Sequence, residues 1–289
     1  MTRPAGEAGG PGGTGGSGGA EDAHLDLRHR LSYAEYLGLD ALLTAQHPRT
    51  DAHDELLFII QHQATEVWLK LVLHELHTVS ALVDADDLGP AFKSLARVER
   101  VMQGLISSWD ILSTMTPADY LSFRAALDTS SGFQSFQFRE LEYVLGNRDA
   151  VYLEPFRHEP ERFARLEAIL HEPSLYDRVI RLLARRGMPV DPALVDRDWS
   201  EPHQSDRSVI EAWLVVYREP ETHWELYELA EDLLDLEDAT RQWRLRHVTT
   251  VERIIGLKTG TGGTAGVPYL RTRLELVLFP ELWDVRTEL

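Results

Sequence analysis

The 289-residue sequence predicts an all-α fold, a single-domain helical bundle built on long central helices, and three observations carry that prediction. Nine of the twenty Gly lie in the first twenty residues, so the remaining 269 positions hold only eleven, about 4% where ~7% is usual, and chains short of turn-formers run in long elements. Apolar residues recur at helical spacing over much of the chain. No alternating pattern of useful strand length is present.

Taken in order, residues 1–24 read as a disordered Gly-rich tail and 25–289 as the helical domain. A first helical stretch is expected near 33–45. From Asp54 to Val83, one apolar file runs Leu57, Ile60, Ala64, Val67, Leu71 and a second runs Phe58, His62, Leu69, Leu73, Leu76. A helix apolar on two faces is expected to be buried. Helices follow near 88–115 and 117–128, the latter opened by Thr116-Pro117-Ala118-Asp119, with a capping hydroxyl, Pro at the first position and an acid at the third. That start sets Tyr120 and Arg124 one turn apart on one face. Further helices are expected near 133–146, 161–186, 207–218, 221–257 and 268–279, with the polar stretch 191–206 as an excursion between two of them. No repeat of solenoid length is apparent.

Composition removes several function classes. The absence of Cys excludes thiolate nucleophiles, disulfides, Cys-ligated zinc, iron–sulfur clusters and thiolate-ligated haem. Any metal must rest on His or carboxylate. With 29 Lys+Arg against 47 Asp+Glu, the net charge of −18 argues against nucleic-acid binding. No unbroken apolar run, Leu56 to Ile60 among them, approaches the roughly 20 residues of a membrane span. With no export signal in the Gly-rich start, a cytoplasmic location is expected.

Several motif searches fail. His74-Glu75-Leu76-His77 has its histidines one position too close for a zincin and reads as a solvated helix face. The run Gly260 to Gly266 follows a helix rather than a strand, so neither a dinucleotide fingerprint nor a P-loop fits, although its backbone could cover a ligand. A di-iron bundle needs two Glu-x-x-His motifs, and the sequence holds one, Glu21 with His24. Three constellations remain. Phe58 and His62 share a helix face with Gln61, Gln63 and Glu66 close by, and a buried His needs a partner, either a protein group or a ligand. His247 lies on an apolar stripe between Trp243 and Val251, with Arg241, Arg244, Arg246 and Arg253 around it; this suits either a core histidine or an axial haem ligand whose propionates meet cations. Tyr120 with Arg124 suits either a surface ion pair or a carboxylate grip.

Read together, these segments resemble the tryptophan 2,3-dioxygenase family. The resemblance rests on His53-Asp54-Glu55, Phe58-Ile59-Ile60-Gln61-His62-Gln63 and Glu66-Val67-Trp68; on Thr116-Pro117 with Tyr120 and Phe123-Arg124; on Ser130-Ser131-Gly132-Phe133-Gln134-Ser135; on Trp243-Arg244 with Arg246-His247; and on Gly256 through Lys258 to Gly260-Thr261-Gly262-Gly263-Thr264. These motifs stand in order from about Leu31 to Thr287. The resemblance implies a cytoplasmic all-helical homotetramer of tryptophan catabolism, the kynurenine pathway, carrying a b-type haem that binds O2 as ferrous iron. It implies that His247 is the proximal iron ligand, with Trp109 and Gly260 also at the cofactor. It implies that His62 meets the indole N–H and Phe58 packs on the indole, and that Arg124, assisted by Tyr120, pairs with the substrate carboxylate. Thr261 would help hold the ammonium and carboxylate. Tyr33, Tyr36 and Leu37 would reach a neighbouring subunit's site. The reaction implied is insertion of both atoms of O2 across indole C2–C3 of L-tryptophan to give N-formylkynurenine.

Two departures stand out. The loop from Gln46 to His53 is shorter than is usual in the family by about two residues, and Phe136 and Phe138 occupy places where a more polar residue and a Tyr are expected. Relatives on the same scaffold carry out mono-oxygenation, so oxindole formation from tryptophan or a β-substituted tryptophan is the alternative reading. A non-catalytic haem-binding module is a third, though it gives no reason to keep Tyr120, Arg124 and Thr261 together.

Overall fold

In the computed structural model, which describes residues 30–289, no strand occurs among the described residues, and the all-α expectation holds. The chain divides into two units, one ending at His47 and one running from Pro48 to Leu289. The expected tail at 1–24 lies outside the described residues.

In the first unit, two short helices, α1 (Tyr33–Leu37) and α2 (Leu39–Leu43), replace the single helix expected near 33–45. Gly38 separates them at φ 62°, a left-handed conformation that ends α1 and that glycine adopts at little cost. Ser32 and Glu35 form a capping box at the start of α1. Tyr33, Tyr36, Leu37 and Leu43 are all exposed.

The second unit is organised around three long helices, α3 (Glu55–Asp84), α4 (Leu88–Leu112) and, later in the chain, α11 (Trp224–Ile255). α3 and α11 each pack along α4. Leu76, Val79 and Val83 of α3, Leu95, Val98 and Leu105 of α4, and Leu229, Leu233 and Leu236 of α11 form the buried centre. At roughly 1.5–3 kcal/mol for each large aliphatic side chain buried, this seam dominates the stability. α3 is long and apolar enough to cross a bilayer by length and composition. Its packing against α4 and its buried Glu55, Gln61 and Glu75 instead mark it as a core helix.

The expectation that α3 is buried on both faces is corrected by the structure. The file Phe58, His62, Leu69, Leu73, Leu76 faces inward, whereas Ile60, Ala64 and Val67 of the other file, with Leu56 and Trp68, are exposed.

Between α4 and α11 lie α5 (Pro117–Phe123), α6 (Phe136–Val144), α7 (Pro160–Leu170), α8 (Leu175–Arg185), α9 (Pro192–Val195) and α10 (Arg207–Arg218); α12 (Val267–Thr272) and α13 (Pro280–Glu288) follow α11. The capping box read at Thr116 is present, with Thr116 N–H donating to Asp119 Oδ2 at 2.8 Å. The helix expected over 117–128 tightens to a 3-10 turn at Arg124–Leu127, and 133–146 resolves into a 3-10 turn at Gly132–Gln134 followed by α6. The stretch 161–186 breaks into α7 and α8 at Pro173, whose ring cannot continue a helix. There Arg148, buried in the core, donates to the carbonyls of Ile169, Leu170 and Glu172 and so closes the end of α7.

The largest correction is at the C-terminus. Instead of a helix over 268–279, α12 stops at Thr272, and α13 begins at Pro280 and packs against α10. Glu237 of α11, fully buried, accepts from the backbone N–H of Leu278 at 3.1 Å and Phe279 at 2.9 Å while pairing with Arg241. Those two amides precede α13, and an acceptor 41 positions away satisfies the first of them.

Candidate active site

α3 sets Phe58 and His62 one turn apart, their rings 4.1 Å from centroid to centroid. His62 Nδ1 lies 2.7 Å from the Phe58 carbonyl oxygen, and a carbonyl can only accept. The proton is therefore on Nδ1, and Nε2 presents a lone pair. Burial, opposed by the Phe58 carbonyl and by Glu66, holds the imidazole below its ordinary value, so it is neutral at pH 7. Phe123 and Tyr120, from α5, close the apolar side at 5.6 and 6.1 Å from Phe58. Glu66, one turn on from His62, accepts from Ser135 Oγ at 2.6 Å and from the Gln137 side-chain amide at 2.8 Å, tying α3 to the start of α6. Gln61 points elsewhere, donating to Ser108 of α4.

Arg124 directs its guanidinium to the carbonyl of Thr259 at 2.6 Å. Burial pushes the Tyr120 phenol up, and the adjacent Arg124 partly offsets this, so the hydroxyl remains a donor at every physiological pH. The Gly-rich loop folds over this corner: the Thr261 hydroxyl donates to the carbonyl of Ser130 at 2.5 Å. A Cβ on Gly262 would stand 2.6 Å from the Ser131 Cβ, so only glycine permits this approach. Leu121, Arg124, Ala125, Asp128, Gly260 and Thr261 line a cavity of about 500 Å³.

His247, on α11, stacks on Trp109 of α4 with ring centroids 4.9 Å apart and planes at 16°, and lies 5.4 Å from Trp243. Phe138 packs on Trp243 at 4.9 Å, and the Arg139 guanidinium lies 5.2 Å from the Phe138 ring. The imidazole has no hydrogen-bond partner among the described residues, although it is only partly open to solvent. Burial pushes it down to about 4, and the positive charges that His62 and Arg139 would present add to the effect. His62 and His247 thus lie near enough that a proton on one disfavours a proton on the other. A neutral, unpartnered imidazole is the donor that a buried metalloporphyrin needs, and the buried Trp109 Nε1–H also lacks an acceptor. These residues fit an axially ligated haem; among the described residues no group of three or more His or carboxylate side chains is placed to hold a bare metal ion.

The comparisons with known proteins are consistent with this geometry. The family model described as tryptophan 2,3-dioxygenase matches residues 18–289. The chain belongs to the tryptophan 2,3-dioxygenase family. The tryptophan 2,3-dioxygenase of Burkholderia pseudomallei (strain 1106a) is 60% identical over 267 residues, covering 92% of this chain and 87% of that protein. That of Burkholderia mallei (strain SAVP1) is 60% identical over the same length. A member of this family is an enzyme, which removes the reading as a non-catalytic module, and dioxygenase relatives this similar do not favour the mono-oxygenase alternative.

Within this tryptophan 2,3-dioxygenase family member, the structure brings Phe58, His62, Tyr120, Arg124, Gly260 and Thr261 to one region of the second unit and sets His247 on Trp109. Gly260 lies beside Arg124. Tyr33, Tyr36 and Leu37 belong to the first unit. Of the arginines expected around His247, Arg241, Arg244 and Arg246 are turned to Glu237, Glu142 and Asp110. The residue behind the histidine is Arg139, which the sequence reading missed; it pairs with Glu142, which also lies 3.7 Å from Arg244. A cation at a buried helical position beside three aromatics was its only signal. The departing Phe138 sits against Trp243, whereas Phe136 packs edge-on to Phe156 in a separate small cluster. The loop before α3 is closed by Glu55, which accepts from the N–H of Arg49 and of Thr50 at 2.8 Å.

The titration of these histidines gives a test. Well above pH 6.5 both are neutral whether the chain is folded or not, so there they contribute nothing to pH dependence. Below 6.5 the unfolded chain takes up protons that the fold resists, so stability must fall as pH falls toward about 4. Haem-free protein is expected to lose denaturant midpoint between pH 6.5 and about 5, above the main carboxylate range, and His247→Gln to remove most of that slope. A flat midpoint in the parent would contradict the burial of both imidazoles.

Proposed function

We propose that this enzyme is a haem-dependent dioxygenase that adds both atoms of O2 across indole C2–C3 of L-tryptophan, opening the pyrrole ring to N-formylkynurenine. The observation that carries the reading is the pair of neutral histidines on α3 and α11, one with a free Nε2 beside an apolar wall and the other unpartnered against Trp109. Bound b-type haem, held through His247 and bordered by Trp109 and Gly260, supplies the O2-activating chemistry.

The chain's own residues bind and orient. Phe58 and Phe123 offer the indole an apolar wall, and the His62 Nε2 lone pair accepts its N–H. An indole N–H is too weakly acidic for a neutral imidazole to remove readily, so His62 positions the ring and leaves its proton in place. Arg124 exchanges the Thr259 carbonyl for the substrate carboxylate, trading a neutral acceptor for a charged one, and the protonated Tyr120 hydroxyl donates beside it. Thr261 holds the amino-acid end as the loop stays seated on Ser130.

The assembly proposed is a homotetramer in the cytoplasm. The exposed apolar face of α3, with Leu56, Ile60, Val67 and Trp68, supports burial against another subunit. The exposed Tyr33, Tyr36 and Leu37 support a role for the first unit at a neighbour's site. On this reading residues 25–289 act as one haem dioxygenase domain, and deletion of residues 1–20 should leave assembly and activity intact. The test is the visible spectrum of the purified chain. One haem per subunit with a Soret band that shifts on adding L-tryptophan is expected; no Soret band after expression with adequate haem would overturn the reading.

A further inference from the structure

The buried charges behind His247 do not balance. Arg139 of α6 and Arg244 of α11 are 6% and 5% exposed, and both turn to a single carboxylate, that of Glu142, itself 4% exposed. Arg139 contacts it directly and Arg244 stands 3.7 Å away. The Asn147 side-chain amide donates to the same carboxylate at 3.2 Å and adds no charge. Burial pushes the Tyr143 and Tyr152 phenols up, so neither supplies a second anion. Arg273, beside the Tyr152 ring, has Asp149 at 3.4 Å for its own partner. Two guanidiniums against one carboxylate leave a positive charge in excess, and an uncompensated buried charge is costly unless something else holds it.

Aromatic rings hold it. The Arg139 guanidinium lies 4.2 Å from the Tyr152 ring, 4.9 Å from Phe133 and 5.2 Å from Phe138, and its buried Nε–H has no acceptor among the described residues. Ring faces attract a cation without neutralising it. Phe138 in turn packs on Trp243 at 4.9 Å, and Trp243 lies 5.4 Å from His247. Burial and the charges of His62 and Arg139 all disfavour a proton on His247, so the Arg139 charge is felt at the imidazole. No carboxylate among the described residues accepts from that imidazole. A carboxylate in that place would make an axial ligand more basic, which favours the oxidised metal, and a cation acts in the opposite sense. Ferric haem takes up one electron to become ferrous and loses one unit of positive charge in doing so; a fixed cation nearby, in a medium of low dielectric, therefore favours the ferrous form.

We propose that Arg139 is a positioning residue that acts through charge from behind His247, biasing bound haem toward the ferrous form that takes O2. Glu142 and the three rings hold the guanidinium in place. The inference rests on the haem reading above and deepens it.

The test compares the haem-loaded parent with Arg139→Met, Arg139→Lys and Glu142→Gln. Each is titrated anaerobically with dithionite and mediator dyes, the ratio of ferrous to ferric haem at a fixed potential is read from the Soret and visible bands, and haem stoichiometry and thermal midpoint are recorded. Arg139→Met leaves Glu142 with Arg244 and Asn147, so no buried carboxylate is stranded. Glu142→Gln has the opposite expected sign, so either variant can decide if the other fails to fold. At the parent's midpoint the ferrous-to-ferric ratio should fall about three- to tenfold in Arg139→Met, a tenfold change being about 59 mV for one electron. It should stay within about twofold of the parent in Arg139→Lys, which keeps the charge, and rise in Glu142→Gln. An unchanged ratio in Arg139→Met, or a fall in both Arg139→Met and Glu142→Gln, would overturn the inference and leave Arg139 as packing alone. A parent that binds no haem would instead remove the reading on which it rests.

Discussion

His247→Ala is expected to purify without stoichiometric haem while keeping its helical content. The imidazole makes no hydrogen bond to the protein, so its removal costs the fold packing against Trp109 and Trp243 but breaks no polar network. What the substitution removes is the axial donor proposed for the haem. A cavity variant separates ligation from packing: His247→Gly should regain a Soret band when free imidazole is added, since the small ring can re-enter the space between Trp109 and Trp243. Full haem in His247→Ala would transfer the ligand assignment to another residue, and His62 would be the first to examine.

The second large effect is at Arg124. Replacing it with Met keeps the length of the side chain and removes the cation, leaving a substrate carboxylate unpaired beside an apolar wall; such losses run to about 2–5 kcal/mol. That is roughly a thirtyfold or greater rise in KM for L-tryptophan, with haem content unchanged. Tryptamine, which has no carboxylate, should be poor for the parent and nearly indifferent to the substitution. Equal KM values for parent and Arg124→Met would leave Arg124 as a loop tether to Thr259 and nothing more.

The parts of the fold visible in the sequence are those whose signal is local. α3, α4, α10 and α11 could be read because apolar residues repeat at helical spacing over many turns, and the start of α5 because Thr116, Pro117 and Asp119 supply cap, first-turn proline and acid within four residues. α13 carries a signal of the same kind, Pro280 followed by Glu281 with Leu282 and Val285 turned inward, although the sequence reading placed no helix there. The amides that a buried Glu237 satisfies ahead of α13 could not be read at all, since the partner is far away in sequence.

The site divides along the same line. The Phe58 and His62 pairing is a one-turn relation, and its hydrogen bond is the ordinary carbonyl four residues back. Trp109 against His247, by contrast, joins α4 to α11, and only the family resemblance named Trp109 in advance. The charge behind His247 is Arg139 of α6, while the arginines beside it in sequence are turned to acids. Nearness along a helix identified the wrong cations because side chains on successive turns face different neighbours.

The measurement that tests the central claim most directly is the mass of the product formed from L-tryptophan under 18O2 by the haem-loaded enzyme. A ring-opened product carrying two labelled oxygen atoms, N-formylkynurenine, is the result expected from a site that holds the indole between His62 and the cofactor on His247 and anchors its amino-acid end at Arg124. A product with one labelled oxygen and the indole ring system closed would contradict it.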